Sequence, residues 1–365
     1  MNILSIESSC DETASAILSF DPKSPNTSIK LLSNVVVSQI DIFKAYGGVI
    51  PEVAARSHLE AILPVIDRAF SDAGFLTPEE KNNWEKIDAI AVTNTPGLLG
   101  SLLIGTLTAR TLSILHNKPL YPVHHLKSHI YSAWLDKNDK GRENPPSFPL
   151  LSLVVSGGHT QIIRMPSDNK FEIIGTTLDD AVGECFDKVA KILGLPYPGG
   201  PSISKSALSG NPEKYPLPIP NIKDLDFSFS GLKTAVLHAV QKEVGVPISY
   251  PSHKLKNLLS PEQIADFSAS FEKTAVEILI KKLKKALKIY PDTTSVVFAG
   301  GVSANETLRK TAEKTLKNLN VYFPPKKFSG DNAAMVAISV AHEISSGIKP
   351  ADPRSVEILP RSSIA

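Results

Sequence analysis

Short apolar runs separated by polar turns alternate along this chain with longer segments whose apolar residues recur at helical spacing. Residues 3–6 and 14–18 are apolar and flank the polar turn 7–13 (ESSCDET), which predicts a hairpin of two buried strands. The same arrangement returns in the second half, where the apolar runs 150–155 and 161–163 flank the turn SGGHT. Two copies of one hairpin predict an α/β protein with two lobes of similar design that face each other across a cleft.

The predicted hairpin turns carry groups suited to holding a phosphate. Backbone N–H groups and hydroxyls at such turns can bind phosphate without lysines, and a side chain at Gly157 or Gly158 would keep the backbone away from a ligand. Asp11 and Glu12 would repel phosphate, so their presence at this turn indicates a nearby metal ion or a function in proton transfer. The alternative is that Ser, Asp and Gly occur here only because they favour turns.

Helices are predicted between and after the hairpins. A Gly-Gly turn followed by Pro51 and Glu52 predicts a helix start, and residues 95–105 (TPGLLGSLLIG) begin a glycine-spaced apolar helix. In the second half, residues 179–193 form a helix that Gly194 stops. These helices supply the covering layers that strands of an α/β protein need.

A second glycine-rich turn follows the apolar strand predicted at residues 295–299. Gly300 and Gly301 lead into a helix opened by Ser303 and Asn305. A strand, a Gly-Gly turn and a helix start together allow a nucleotide to approach the backbone, although this pattern alone is a weak sign.

The length of 365 residues exceeds one ordinary core and predicts two lobes. Residues 136–149 are rich in Lys, Asn, Gly and Pro, which predicts a loop at the boundary. We therefore expect a first lobe over residues 1–135, joined by a C-terminal helix over 331–365, and a second lobe over 148–330.

The composition is that of a soluble globular protein, with 42% hydrophobic and 21% charged residues. No apolar run reaches membrane-spanning length, and Met1 leads directly into the first strand, so no signal peptide and a cytoplasmic location are expected. Cys10 and Cys185 are the only cysteines, which excludes a disulfide framework and a four-thiolate zinc site. The net charge of +2 neither favours nor excludes a nucleic-acid partner.

The segment 122–135 (PVHHLKSHIYSAWL) holds the candidate metal ligands. On a helix, His125 and His129 lie one turn apart on one face and can bind the same ion. A transition metal needs a further protein ligand, and Asp331 at a turn before another helix offers one. On spacing alone, the alternative is that two surface histidines and this aspartate never meet.

A series of motifs in chain order carries a resemblance to a known family. They are ILSIESSCDET, SQIDIFKAYGGVIPEVAARSH, TPGLLGSLLIG, PVHHLKSH, LVVSGGHTQI, GECFDKVAKILGLPYPGGP, FSFSGLKTAV, FAGGVSAN and FSGDNAAM. In these motifs the chain closely resembles the tRNA N6-adenosine threonylcarbamoyltransferases of the bacterial TsaD type. The resemblance covers nearly the whole chain, and HHLKSH, SGGHT and SGDNAAM are its most specific parts.

The resemblance implies a fold, an activity and a set of site residues. The fold would be the actin-like, sugar-kinase-like and Hsp70-like ATPase fold, with two related lobes and a central cleft. The activity would be transfer of a threonylcarbamoyl group from threonylcarbamoyl-adenylate to N6 of the adenosine 3′ of the anticodon, in tRNAs that read codons beginning with A, with release of AMP. The metal would be one Fe(2+), or Zn(2+) in its place, bound by His125, His129 and Asp331. The substrate-binding residues would be Val154, Val155, Ser156, Gly157, Gly158, Asp187, Gly200 and Asn305.

Asp11 or Glu12 is the candidate proton acceptor, because the attacking amine must lose a proton. The implied partners are tRNA, a paralogous partner subunit (TsaB-like) and a small ATPase (TsaE-like), without a membrane. The chain departs from the family pattern at Phe43, Thr95 and Lys127. Lys127 lies between the two histidines, but on a helix it should point away from the metal.

Three other functions are considered. A metalloprotease would explain two histidines separated by three residues, but Leu126 stands where those enzymes place a glutamate base. A kinase or ATPase of the same fold would also use phosphate-facing hairpins, but it does not need a His, His, Asp metal set. The third is a scaffold subunit that binds nucleotide without catalysis.

Overall fold

The computed structural model describes residues 1–25, 28–79 and 81–364, and these form two five-stranded mixed sheets. The first sheet has the order β3-β2-β1-β4-β5 and the second has the order β10-β9-β6-β7-β8. The strands of the first sheet are β1 (Asn2–Glu7), β2 (Glu12–Ser19), β3 (Lys30–Ser38), β4 (Ala89–Thr95) and β5 (Leu120–His124). Those of the second are β6 (Leu150–Val155), β7 (Thr160–Met165), β8 (Glu172–Thr176), β9 (Ser295–Ala299) and β10 (Asn320–Tyr322).

The two sheets share one topology. In each, the first two strands form an antiparallel hairpin, the third pairs with the second in antiparallel fashion, and the fourth and fifth add in parallel on the other side. The two predicted hairpins are therefore confirmed as β1–β2 and β6–β7. Their tips, residues 8–11 and 156–159, occupy equivalent places in the two sheets.

Eleven α-helices occur in the described part of the chain, and they cover the sheets. They are α1 (Ile40–Lys44), α2 (Pro51–Asp72), α3 (Leu99–His116), α4 (His125–Tyr131), α5 (Val182–Leu193), α6 (Gly199–Ala207), α7 (Ser230–Glu243), α8 (Ser252–Leu255), α9 (Pro261–Ile289), α10 (Glu306–Thr315) and α11 (Ala333–Ser345). The predicted starts at Pro51 and after Asn305 are confirmed, and Asn305 caps α10 by accepting a hydrogen bond from Leu308 N.

Several predicted boundaries differ from the structure. The helix predicted from residue 179 begins at Val182, because the Asp179 carboxylate instead accepts hydrogen bonds from the 228–230 segment. The C-terminal helix predicted over 331–365 is wrong in extent: α11 ends at Ser345, and the described residues after it run without helix to 364. Gly347 adopts a left-handed φ of 80°, which stops the helix, and Ala351 then pairs with Leu120.

Three apolar clusters organise the molecule. One packs α2 and α3 on the outer face of the first sheet, and another packs α5, α7 and α9 on the outer face of the second. The third lies between the sheets and contains α4 and α11 with inward residues from both, such as Ile3 and Val297. The central cluster therefore holds α4, with its two histidines, between the two halves. No helix among the described residues is long and apolar enough to cross a lipid bilayer.

Candidate active site

The two hairpin tips face one cavity of about 1240 Å³ between the sheets. The first tip contributes Ser9, Cys10 and Asp11, and the second contributes Ser156, Gly157 and Gly158. The remaining lining includes Glu12, His125, Asp187, Gly200, Asn305, Gly330 and Asp331. One cavity thus joins most of the residues that the sequence singled out.

His125, His129 and Asp331 converge beside the first tip. His129 Nε2 lies 3.1 Å from His125 Nε2 and 3.0 Å from Asp331 Oδ1, and His125 Nε2 lies 3.5 Å from the same oxygen. His125 and His129 are buried, so the alternative of two surface histidines does not hold. Residues 202 positions apart in sequence meet here because α4 and the start of α11 share the central cluster.

These three side chains fit a divalent metal ion. Metal–ligand bonds of about 2.0–2.1 Å separate neighbouring ligand atoms by about 3 Å. The three donor atoms lie within 4.8 Å of one another. The two imidazole nitrogens are 3.1 Å apart, and at this distance their lone pairs repel each other unless a proton or a cation lies between them. Two imidazoles and one carboxylate suit iron(II) or zinc.

Glu7 orients the first histidine from behind. Its Oε2 lies 3.2 Å from His125 Nδ1 and accepts a hydrogen bond from Thr93 Oγ1 at 2.6 Å, while its Oε1 accepts one from Ser9 N at 2.6 Å. A carboxylate at Nδ1 favours the tautomer whose Nε2 lone pair points to the cavity. Burial opposes charge on both groups, but their attraction lowers the pKa of Glu7, and Asp331 and Glu7 raise the pKa of His125 to about 9.

The first tip is fixed by buried hydrogen bonds from neighbouring elements. Cys10 O accepts hydrogen bonds from His58 Nε2 at 2.9 Å and from Ser101 Oγ at 3.1 Å, and Ser9 O accepts one from Leu98 N at 2.8 Å. A Cβ at Gly97 would lie 2.5 Å from Ser9 O, so only glycine allows this close approach. The tip is consequently a rigid platform for Asp11.

Glu12 also lines the cavity beside this tip. Burial, together with the nearby carboxylates of Asp331 and Asp11, raises the pKa of Glu12 well above its ordinary value. A carboxylate in this setting binds a proton more strongly than an exposed glutamate does.

The second tip is open. A Cβ at Gly157 or Gly158 would meet no protein atom within 4 Å, and no hydrogen bond among the described residues uses either backbone N–H. Val154 and Val155, predicted to bind substrate, instead place their side chains in the two cores and do not line the cavity. Alternation along β6 explains this, because successive strand residues point to opposite faces of the sheet.

Asp187, Gly200 and Asn305 line the far side of the cavity. Asp187 accepts a hydrogen bond from Gly199 N at the start of α6 at 2.7 Å, and burial raises its pKa. Gly200 has open space where a side chain would stand. The Asn305 amide is already engaged, because it donates to Glu272 Oε1 at 2.6 Å and to Ser204 Oγ at 3.0 Å.

Sequence reasoning missed three buried polar residues behind these groups. They are Glu7, which holds His125, His58, which holds the first tip, and Glu272, which holds Asn305. An acidic residue directly after the apolar strand predicted at residues 3–6 was a signal for Glu7, whereas nothing in the local sequence separates His58 or Glu272 from an exposed residue. Lys127 points away from the metal group as expected and pairs with Glu343 at 2.5 Å.

The sequence matches a family model described as TsaD, tRNA N6-adenosine threonylcarbamoyltransferase, over residues 30–338. The curated protein named tRNA N6-adenosine threonylcarbamoyltransferase from Symbiobacterium thermophilum is 45% identical over 338 residues, covering 92% of this chain and 89% of that protein. The protein of the same name from Bacillus subtilis is 43% identical over 356 residues, covering 96% and 93%.

Solved structures with low sequence identity share the architecture. The crystal structure of HypF from T. kodakarensis has a TM-score of 0.58 and 13% identity and covers 95% of this chain and 48% of that chain. A full-length HypF in a phosphate- and nucleotide-bound form has a TM-score of 0.56 and 14% identity and covers 96% and 56%. These likenesses show the α/β fold with two related halves of the actin-like, sugar-kinase-like and Hsp70-like ATPases.

Proposed function

This chain belongs to the tRNA N6-adenosine threonylcarbamoyltransferase family, and from that premise we propose that its donor is threonylcarbamoyl-adenylate, bound in the cavity between the two hairpin tips. The enzyme transfers a threonylcarbamoyl group to N6 of an adenosine in tRNA, as the family name states. Membership in this family decides against the metalloprotease, the phosphotransferase and the scaffold without catalysis.

One observation carries the proposal: the open glycine tip and the metal-ligand group face the same cavity. The unused N–H groups of Gly157 and Gly158 suit the phosphate or the carbamoyl oxygen of an adenylate. Donors of this kind are each worth roughly a hundredfold in rate when they bind developing charge. The cavity volume of about 1240 Å³ accommodates an adenylate and leaves room for an incoming nucleotide.

The reaction proposed is acyl transfer. The exocyclic amine of the tRNA adenosine attacks the carbamoyl carbon, the bond to the phosphate oxygen breaks, and AMP leaves with the bonding electron pair. An amine on an aromatic ring is a weak nucleophile, so holding both reactants in line provides much of the acceleration. Asp11 or Glu12, at the edge of the same cavity, accepts the proton that the amine loses.

We propose one iron(II) per subunit, with zinc possible in its place, held by His125, His129 and Asp331. When bound, such an ion supplies Lewis-acid polarisation of substrate oxygens. Asp187, Gly200 and Asn305 are proposed to contact the donor from the far wall of the cavity.

The proposed partners include a paralogous subunit and a small ATPase. Exposed leucines on the outer face of α2 and α3, among them Leu63 at 58%, Leu107 at 43% and Leu115 at 71%, support a protein partner on that side. The ATPase rests on family membership alone. A cytoplasmic location and the division into lobes at residues 136–149 stay predictions.

The test is incubation of the purified protein with unmodified tRNA and threonylcarbamoyl-adenylate, followed by nucleoside mass analysis. The expected product is threonylcarbamoyladenosine together with an equal amount of AMP. A tRNA in which guanosine replaces the target adenosine is the matched control and should stay unmodified. Absence of product with an active adenylate and any required partner subunit would contradict the proposed donor.

A further inference from the structure

A second concave surface lies outside the cavity described above. This groove has a volume of about 390 Å³ and is formed by the loop after α4, by α10 and by the segment after β10. The residues that matter for its charge are Asp136, Lys137, Arg142 and Arg309, and Phe323 lies beneath. Three positive side chains against one negative side chain give the groove an excess of two positive charges.

The two arginines are held by neutral groups. Arg142 donates to Ala133 O at 2.6 Å and to Phe323 O at 2.7 Å, and Arg309 donates to Ser303 O and Pro324 O, each at 2.8 Å. Across the residues that the structure describes, neither guanidinium forms an ion pair with a carboxylate. These bonds fix the positions of both guanidinium groups without neutralising them.

Donor groups remain unused in this groove. Arg142 Nη1, Arg309 Nη1 and Lys137 Nζ make no hydrogen bond to any described residue. The single acid, Asp136, is already occupied, since its Oδ1 accepts from Asn138 N at 2.8 Å and from Lys140 N at 3.0 Å.

Burial leaves the two positive charges of the groove poorly solvated. Both arginines are half-buried, and burial lowers the pKa of Arg142 and of Arg309. The carboxylates of Glu306 and Glu313 raise the pKa of Arg309, and the charge of Arg142 lowers it. Two positive charges that line one groove favour a bound anion. Planar guanidinium groups bind phosphate oxygens through paired N–H donors.

The groove shares a wall with the main cavity. Arg309 donates to Ser303 O and lies 3.3 Å from Ser329 Oγ. Ser329 lines the main cavity and stands two residues before the metal-ligand candidate Asp331. An anion bound by Arg309 is therefore separated from the reacting groups by about one layer of residues.

We propose that this groove binds a phosphodiester group of the tRNA chain that flanks the nucleotide entering the main cavity. The proposal rests on the tRNA-modifying activity of the family. Arg142 and Arg309 bind the phosphate oxygens from fixed positions, and Lys137 closes over them from the loop. The contact is independent of base identity, so it orients the tRNA rather than selecting it.

The test measures tRNA binding and transfer with Lys137→Gln, in the form of the protein that modifies tRNA in the assay above. Lys137 is exposed and has no partner among the described residues, so the variant should fold like the wild type. We expect tRNA affinity to fall about fivefold near 0.1 M salt, and the slope of log affinity against log salt to shrink by about one. Lys137→Arg should restore both the affinity and the salt slope.

Lys140→Gln is the matched control, because Lys140 is an exposed lysine of the same loop that does not line the groove. Arg142→Gln should weaken tRNA binding like Lys137→Gln, with its thermal melt recorded because this arginine also holds two carbonyls. A wild-type protein that modifies tRNA while Lys137→Gln binds it with unchanged affinity and salt slope would overturn the groove proposal alone. A wild-type protein that never modifies tRNA would instead overturn the function on which it rests.

Free phosphate is the other source of the same chemistry. Inorganic phosphate and AMP are therefore titrated separately against wild type and Lys137→Gln. Weak phosphate binding that competes with tRNA would support the groove as a binding site for the sugar-phosphate backbone of tRNA. Saturable binding of free phosphate that Lys137→Gln abolishes, with tRNA affinity unchanged, would overturn the proposal.

Discussion

The tips of the two hairpins, residues 8–11 and 156–159, occupy equivalent places in two sheets of one topology, but they differ in chemistry. The first tip is fixed by hydrogen bonds from His58, Ser101 and Leu98 and stands beside carboxylates and the metal-ligand group. The second tip contains Gly157 and Gly158, which have open space where side chains would stand and whose N–H groups make no hydrogen bond to any described residue.

This difference shows how one scaffold can serve two halves of a reaction. Charged groups next to a cation must be held rigidly, because an unpaired buried charge is costly and a displaced ligand loses the ion. A turn that binds a phosphate through its backbone needs the opposite, which is the absence of side chains. We therefore expect substitutions in the first tip region to affect metal and chemistry, and those in the second to affect donor affinity.

The largest effect is expected for His129→Ala. Loss of one of three protein ligands should remove the bound metal and lower threonylcarbamoyl transfer by at least about a hundredfold. Metal content by elemental analysis and the transfer rate are the measurements, and the melting temperature of the metal-free protein should stay close to that of the metal-free wild type. His124→Ala changes a neighbouring histidine outside the donor group and should keep its metal. Normal metal content in His129→Ala would refute the ligand assignment.

Gly157→Val should affect the second tip alone. The new side chain enters open space in the protein, so the thermal melt should not change, but it blocks the approach of the donor to the backbone. We expect the affinity for threonylcarbamoyl-adenylate, or a stable analogue, to fall about tenfold to a hundredfold in calorimetry. Gly231→Val, at an open glycine away from the cavity, is the control. Unchanged donor affinity would mean that this tip is only structural.

Gly183→Ala tests what supports the second tip from behind. A Cβ at this position would lie 2.5 Å from Ser156 O and 2.8 Å from Gly157 N, which are backbone atoms that cannot move freely. The free energy of unfolding should fall by about 1–3 kcal/mol, and donor affinity should fall with it as the tip shifts. Denaturant unfolding measures the first effect. A stable variant with normal affinity would show that the second tip tolerates displacement.

The smallest effect is expected from His58 as pH falls. Burial lowers the pKa of His58, so the folded protein keeps this imidazole neutral below pH 6.5, where the unfolded chain takes up a proton. Stability contributed by the neutral form is therefore present above about pH 6.5 and is lost as pH falls towards the folded pKa. Between pH 7 and pH 5 the wild type should lose more stability than His58→Gln, measured by denaturant unfolding. Equal losses would show that His58 does not resist protonation in the folded state.

The local pattern of apolar and polar residues predicted the bounds of secondary-structure elements well where burial alone decides those bounds. Strands β6 and β9 begin and end where the apolar runs do, because a parallel or central strand is buried on both faces and reads as a continuous apolar segment. Helix ends were predicted less well, as at Val182 and Ser345, because side-chain hydrogen bonds and a left-handed glycine set them.

The candidate metal group combines one feature that the local sequence predicted with another that only tertiary packing set. The spacing of His125 and His129 on one helix face was visible in the sequence, whereas the third ligand is 202 residues away from His129 and its distance of 3.0 Å is set by packing of α4 against α11. The buried carboxylate of Glu7 behind His125 was not predicted as a functional group, because its role depends on where β1 ends relative to α4.

The sequence by itself determined the duplicated hairpins, the glycine turns and the identity of the family, because these depend on residue order and on local periodicity. The tertiary structure decided which of these groups share a cavity, which carboxylates change their pKa, and which arginines line the second groove without an ion pair to any described carboxylate. The physical reason is that burial and electrostatic interaction depend on distances in space, and residues far apart in the chain acquire those distances only when the two sheets pack around one central core.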